Sequence, residues 1–378
     1  MISPKSTMFA LRQLPRAHFP PREYLPISHS SRQIEETLPL YGPENYYPVY
    51  TGEVFVSRYQ VVCKLGYGTS STAWLCRDLE KQRFITLKVC VQGRAPDHEI
   101  KISRHLNNAA DHAGKSRVRL VLDSFEIIGP HGKHTFLVYQ PLGMTFTELR
   151  DLLPDNIFPE DLLIQRGIQL VLISLVFIHE NNVIHTDISP NNILHAIDND
   201  SLLSRIEDDE TTRPVARKVL PDHTIYFSRP MPPCTGLPVL SDFGEARVGS
   251  NKHRGDIMPG VYRAPEVILG MEWDSSVDVW STGMMTWDLV ENSHLFFAKR
   301  DHVLSDEQHL AEMVSLMGPP PPEFLKRSER CDQFRDANGT WKSSLPIPKQ
   351  SLETRAQRFT NTTKDNTLFL NFMRRILR

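Results

Sequence analysis

Cysteine patterning is missing from this chain of 378 residues. Its five cysteines, Cys63, Cys76, Cys90, Cys234 and Cys331, are odd in number, widely spaced and contain no CxxC pair. That argues against a disulfide framework or a structural zinc site and fits a reducing compartment. Net charge is nearly absent too, since 43 basic residues against 45 acidic ones leave -2. No global field points to nucleic acid or to an anionic membrane, so charge-based recognition would have to be local. The longest apolar run, Ile168 to Ile178, falls well short of the ~20 residues that cross a bilayer, and a soluble protein is expected. No secretory signal precedes the sequons at Asn199, Asn338 and Asn361, which are discounted. His131 and His134 have no further ligands nearby and read as hairpin surface, not as a metal site.

What is present suffices for two packed lobes, with 40% of residues apolar. Residues 1–45 are proline-rich and aperiodic, with Lys5, Arg12, Arg16 and Arg22 and no acid before Glu23. The charge is that of a mitochondrial presequence, but Pro15, Pro20 and Pro21 spoil the helix such a signal needs, so a flexible basic arm is expected. Folded structure should begin near Tyr46. β-branched runs then predict strands at Gln60 to Leu65, Thr72 to Arg77, Phe84 to Val91, Val118 to Ile127 and Thr135 to Tyr139, with one helix near Asp97 to Leu106.

After Gly143 the pattern turns helical. Leu162, Ile164, Ile168, Val171, Leu172, Leu175 and Ile178 recur mostly at three- and four-residue steps, which predicts a buried helix. The fold class is therefore α+β: a small β-rich lobe, residues 46–140, and a larger α-rich lobe, residues 141–378. The seam lies at Gln140-Pro141-Leu142-Gly143. A stretch of about 195–236 separates Asn192 from Asp242 and is expected to loop out as an exposed insert.

Several short signals carry chemistry. Gly66-Tyr67-Gly68-Thr69-Ser70-Ser71 follows a strand, where glycines let backbone amides approach phosphate, although a tight hairpin would explain it as well. Lys88 sits in an apolar strand, and Glu99 opens the next helix; the two could pair, or could be a solvent-facing lysine and a helix-start acid. His185-Thr186-Asp187 with Asn192, then Asp242-Phe243-Gly244, then Ala264-Pro265-Glu266 complete the order needed for phosphate transfer from ATP. Asp187 would accept the proton of a substrate hydroxyl, and Asn192 and Asp242 would hold magnesium. His185 reads as a packed histidine supporting the loop.

With these residues the chain resembles a eukaryotic protein kinase from about Tyr46 onward, and more narrowly the SR-protein kinases and their fungal relatives. Tyr47-Pro48-Val49 with Gly52-Glu53, the loop Gly68 to Thr72, His185-Thr186-Asp187-Ile188 and Tyr262-Arg263 before Ala264 carry that resemblance. It implies a bilobal kinase fold. ATP would lie under Leu65, Gly66, Tyr67, Gly68, Thr69 and Ser70, with Lys88 and Glu99 at its α- and β-phosphates and its adenine read at Gln140 and Leu142. Asp278 would begin a helix bracing the catalytic loop, with His185 and Glu266 structural. Arg/Ser-rich protein substrates, ATP and Mg2+, a monomer without direct nucleic-acid or membrane contact, and location in cytoplasm and nucleus are expected, with mitochondrial import the lesser alternative.

The chain also departs from the family pattern. Ser189 stands where the family has a lysine that neutralises the transferring phosphoryl, and Pro259 where a substrate-facing threonine is expected. Thr186 replaces the arginine that clamps a phosphorylated activation loop, so no dependence on phosphorylation between Glu245 and Arg263 is expected. The sequence ends at Arg378 within an expected helix, Phe369 to Leu377, ahead of the family's last helix and the arginine that would pair with Glu266. An active serine/threonine kinase is the leading expectation, and a pseudokinase that binds ATP or partners is the alternative.

Overall fold

β-branched and aromatic residues crowd the stretch between Tyr59 and Tyr139, and most of it folds as one antiparallel sheet. The computed structural model describes all residues except 1–15, 20–23, 29–33, 40, 95, 160–166, 235, 337–338, 344, 359–362 and 378. Two compact units result: Met1–Asp97 with Val121–Leu142 and Ile197–Pro232, and His98–Leu120 with Gly143–Ala196 and Pro233–Arg378.

In the first unit the strands are β1 (Val54–Phe55), β2 (Tyr59–Tyr67), β3 (Ser71–Asp78), β4 (Arg83–Cys90), β5 (Asp123–Ile128) and β6 (Lys133–Tyr139), in the order β1-β2-β3-β4-β6-β5. Val61, Trp74, Cys76, Ile85, Leu87, Val89, Phe136 and Val138 form the core of this sheet. Phe136 stacks on Phe125, with centroids 5.1 Å apart. The run from Val118 becomes strand only at Asp123. His134 is a correction: it is 1% exposed, donates from Nδ1 to the Cys90 carbonyl at 3.0 Å, and meets the Tyr47 ring edge-on. Strand alternation turns it inward, which a reading as hairpin surface overlooked.

The insert also differs from expectation. It folds as a helix, Ser201–Thr212, and a hairpin pairing Arg217–Val219 with Thr224–Tyr226. Leu203, Ile206, Glu207 and Glu210 form the buried stripe of the helix at helical spacing. Both buried acids are paired, Glu207 with Arg77 and Glu210 with Arg229. The sequence placed these residues with the α-rich lobe as an exposed loop; Ile197–Pro232 instead belongs to the β-rich unit. The arm differs likewise over its described part. Ile34 and Glu35 are buried, and Glu35 forms an ion pair with Lys64. Proline content suggested a free arm, whereas specific charge pairing holds this stretch in place.

The second unit is mainly helical: Asp97–Asn107, Phe146–Leu152, Gln169–Glu180, Ser276–Glu291, Asp306–Met317 and Thr363–Ile376 are its longer helices. Of the expected buried helix, Val171, Leu175 and Ile178 lie in the core, while Leu162 and Ile164 fall outside the described residues. Phe146–Leu152 starts at a capping box in which Thr145 and Glu148 satisfy each other's backbone amides. Ser276–Glu291 is buried along almost its whole length. Helix Thr363–Ile376 packs on it at Gly283, where a Cβ would come within 2.3 Å of Ile376. Trp287 and Phe369 stack beside that contact, 5.7 Å apart.

The same unit contains a pH-dependent link. His294 Nδ1 lies 2.6 Å from Asp288 Oδ2, which also accepts the Tyr262 hydroxyl at 2.7 Å. Its hydrogen bond to Asp288 lifts His294 above its ordinary value. The link's stabilisation is thus complete below the unfolded-state value of about 6.5 and is lost as pH rises through the folded one. His294→Gln is expected to lower the melting temperature at about pH 5.5 and to matter little at about pH 9. An equal loss at both pH values would contradict this.

Candidate active site

Two segments far apart in sequence are tied together at both ends by strands of two or three residues. Val183–Ile184 pairs with Arg247–Val248, and Ile193–His195 pairs with Pro238–Leu240. The loop holding Asp187 and Asn192 therefore lies against the loop holding Asp242, Phe243 and Gly244. Crosslinks fill the space between them. The Ser241 amide donates to the Asn192 carbonyl at 2.9 Å, and the Thr186 hydroxyl to the Glu245 carbonyl at 2.8 Å. His185 is fully buried; Nε2 donates to the Ser241 carbonyl at 3.0 Å while Nδ1 accepts the Asp187 amide at 3.3 Å. Those two bonds give His185 a structural place.

Asn192 donates through Nδ2 to both the carbonyl and the carboxylate Oδ2 of Asp187, each at 2.8 Å. Its amide nitrogen is thereby committed, which turns the side-chain oxygen away from Asp187. Burial raises the Asp187 carboxyl above its usual range; His185 and the Asn192 bond oppose this, and the Asp242 and Glu245 carboxylates add to it. Glu99 is buried in the same unit, and its carboxylate lies 3.9 Å from where a Cβ on Gly244 would be. Thr186 and Asp242 have φ of 67° and 64°, a costly conformation for residues other than glycine.

Asp278 holds this arrangement from behind. Its fully buried carboxylate accepts the His185 amide, the Thr186 amide and His179 Nε2, all at 2.8 Å. The sequence pointed to Asp278 but gave no signal for His179, which stands 99 residues away. His98, whose Nε2 meets the Ala246 carbonyl at 2.5 Å, was missed for the same reason.

In the β-rich unit, one register row crosses the sheet from Gly66 to Ala73, Lys88 and Leu137. Lys88 is half-buried two strands from Gly66, about 10 Å at ordinary strand spacing. Leu65 and Gly66 are half-buried near the end of β2; Tyr67 and Thr69 of the turn are exposed, and Ser70 is half-buried. A Cβ on Gly66 or Gly68 would meet nothing within 4 Å, and neither has a positive φ. Neither packing nor backbone geometry demands glycine there, which favours room for a ligand to approach the backbone. Gln140 is exposed and Leu142 buried just beyond β6. Lys88 and Glu99 fall in different units.

Comparison with known proteins decides the family. The protein kinase domain family matches residues 59–344. This chain is a member of the protein kinase family. A serine/threonine protein kinase of Aspergillus fumigatus is 40% identical over 378 aligned residues, covering 96% of this chain and 92% of the relative. Serine/threonine-protein kinase SRPK of Physarum polycephalum is 31% identical, with 80% and 76% covered. Protein kinase dsk1 of Schizosaccharomyces pombe is 27% identical, with 77% and 71% covered. The kinase is thus of the serine/threonine class, its fold α+β, and its substrates proteins.

Two features of this kinase bear on its regulation and stability. The Thr186 hydroxyl donates to the Glu245 carbonyl at 2.8 Å. Ser250→Ala is expected to leave turnover unchanged, and a large drop would contradict that. Glu266 lies in the first turn of the short helix Pro265–Ile268. Burial raises its carboxyl, with Arg327 among the groups opposing the rise, and no ion pair to it occurs among the described residues. It lines a largely apolar cavity of about 740 Å³ with Trp280, Phe324 and Trp341; Asp187, Asn192 and Asp242 are not part of that cavity.

Proposed function

We propose that the chain is a catalytically active kinase that transfers the γ-phosphate of ATP, with magnesium, to serines of Arg/Ser-rich proteins. What supports this reading above all is the loop of Asp187 and Asn192, anchored by Asp278 through the His185 and Thr186 amides and lying against the loop of Asp242. Asp187 takes the proton as the substrate oxygen attacks the γ-phosphorus and ADP departs. Gly66, Gly68 and their neighbours offer backbone amides to phosphates, Lys88 adds its ammonium, and Gln140 and Leu142 offer main-chain groups to adenine.

The donors fit a hard divalent cation. Asp242 supplies carboxylate oxygen and Asn192 an amide oxygen, the oxygen ligation magnesium prefers. Among the described residues no cluster of three or more His, Cys, Asp or Glu is disposed to hold a metal. Magnesium sites of this class use one or two protein carboxylates and complete their shell with substrate phosphates and water. When bound, the ion neutralises charge developing on the phosphates.

The substrate class rests on resemblance to SR-protein kinases. Transfer of labelled phosphate to an Arg/Ser-repeat peptide should greatly exceed transfer to a generic basic protein, and equal labelling would overturn the substrate assignment. Ser189 favours a second reading, binding without efficient transfer, because the cation expected at that position is absent. Intact Mg·ATP binding without any transfer would establish that alternative.

A further inference from the structure

Across the turn from Gly66 to Ser70 the Gly68 amide donates to the Ser71 carbonyl at 2.8 Å, the Ser70 carbonyl accepts the Val91 amide at 3.0 Å, and open space lies over both glycines. Its remaining support comes from segments far away in sequence. The Tyr46 hydroxyl donates to the Gly68 carbonyl at 3.0 Å, and the Tyr41 ring lies against Tyr46, 5.2 Å between centroids. At the other end, the exposed Tyr67 ring rests 4.8 Å from the Lys64 ammonium. Lys64 is 1% exposed; its ammonium is paired with Glu35 and donates to the Tyr226 carbonyl at 3.1 Å. The insert also donates the Arg229 amide to the Lys64 carbonyl at 2.8 Å. Glu36, beside Glu35, reaches Lys218 of the insert at 2.9 Å.

Two distant stretches, the arm through Glu35 and the insert through Tyr226 and Arg229, thus converge on one lysine in the strand that leads into the glycine turn. Burying a lysine and a glutamate together is a poor way to gain stability, since desolvation offsets most of their attraction. An apolar pair would serve packing better. The charge pair does fix where the ammonium, and the tyrosine ring lying over it, can sit.

We infer that Glu35, Lys64 and Tyr46, with the insert's Tyr226 carbonyl, form a clamp that positions the glycine turn and so sets nucleotide affinity. This rests on the proposal that the turn cradles ATP phosphates. The clamp residues are positioning residues and touch no reacting group. A preformed turn spares the nucleotide the cost of ordering it, so loosening the clamp weakens ATP binding and leaves the chemical step alone.

The test measures Mg·ATP affinity by calorimetry, and KM and kcat for ATP and peptide, on the full chain carrying Tyr46→Phe, Glu35→Gln, Lys64→Met or Lys64→Arg. Tyr46→Phe removes one hydroxyl and should weaken ATP binding by about threefold to tenfold, the range of a single hydrogen bond. Its kcat, its KM for peptide and its melting temperature should stay near those of the unaltered chain. Lys64→Met and Glu35→Gln should weaken ATP binding further, with Lys64→Arg recovering part of the loss. ATP affinity unchanged in both Tyr46→Phe and Glu35→Gln overturns the clamp while leaving the kinase assignment intact. Failure of the unaltered chain to bind Mg·ATP overturns both.

Discussion

Asp187→Asn is expected to reduce phosphate transfer by roughly 10²- to 10⁴-fold, the usual contribution of a positioned general base. Affinity for Mg·ATP should change little. The substitution preserves shape, and the Asn192 amide still finds an oxygen at 2.8 Å. What disappears is the ability to accept a proton at a position where burial and the neighbouring acids favour uptake. Single-turnover transfer to peptide, with calorimetric ATP binding alongside, measures both quantities. A loss below about threefold would mean that Asp187 is not the proton acceptor.

Asp278→Ala should destabilise the helical unit and disable the catalytic loop together. The lost carboxylate accepts two backbone amides and an imidazole. Leaving buried donors without partners costs about 1–3 kcal/mol each, so a loss of about 3–5 kcal/mol is expected. That is a large fraction of the ~5–15 kcal/mol that holds a domain together. Thr186 would also be free to relax from its positive φ, moving Asp187 away from Asp242. Asp278→Asn retains one acceptor oxygen and should fall between. Denaturant titration should reveal the loss, and a change under about 1 kcal/mol in Asp278→Ala would contradict the bracing role.

The candidate site residues stood out because they lie in short contiguous phrases. Asp187 and Asn192 are five positions apart, and Asp242 follows an apolar strand. Their convergence was not derivable from periodicity, since the strands that impose it, Val183–Ile184 and Arg247–Val248, are too short to show alternation. The sheet strands were visible as β-branched runs for the same reason that they pack, and the buried helix was visible through Val171, Leu175 and Ile178. The insert misled because Glu207 and Glu210 look like solvent-facing acids until Arg77 and Arg229 are brought to them. Glu35 misled in the same way within a proline-rich stretch. Pairing between charges far apart in sequence leaves no local trace, and this protein uses it where its unusual segments join the kinase scaffold.

The central claim is that Asp242 and Asn192 bind ATP through divalent metal. Calorimetric titration with ATP in the presence and absence of magnesium, on the unaltered chain and on Asp242→Ala, tests it most directly. Tight binding is expected only with magnesium, with a loss of at least about tenfold in Asp242→Ala, equivalent to roughly 1.4 kcal/mol. Equal ATP affinity with and without the metal, unaffected by the substitution, would contradict it.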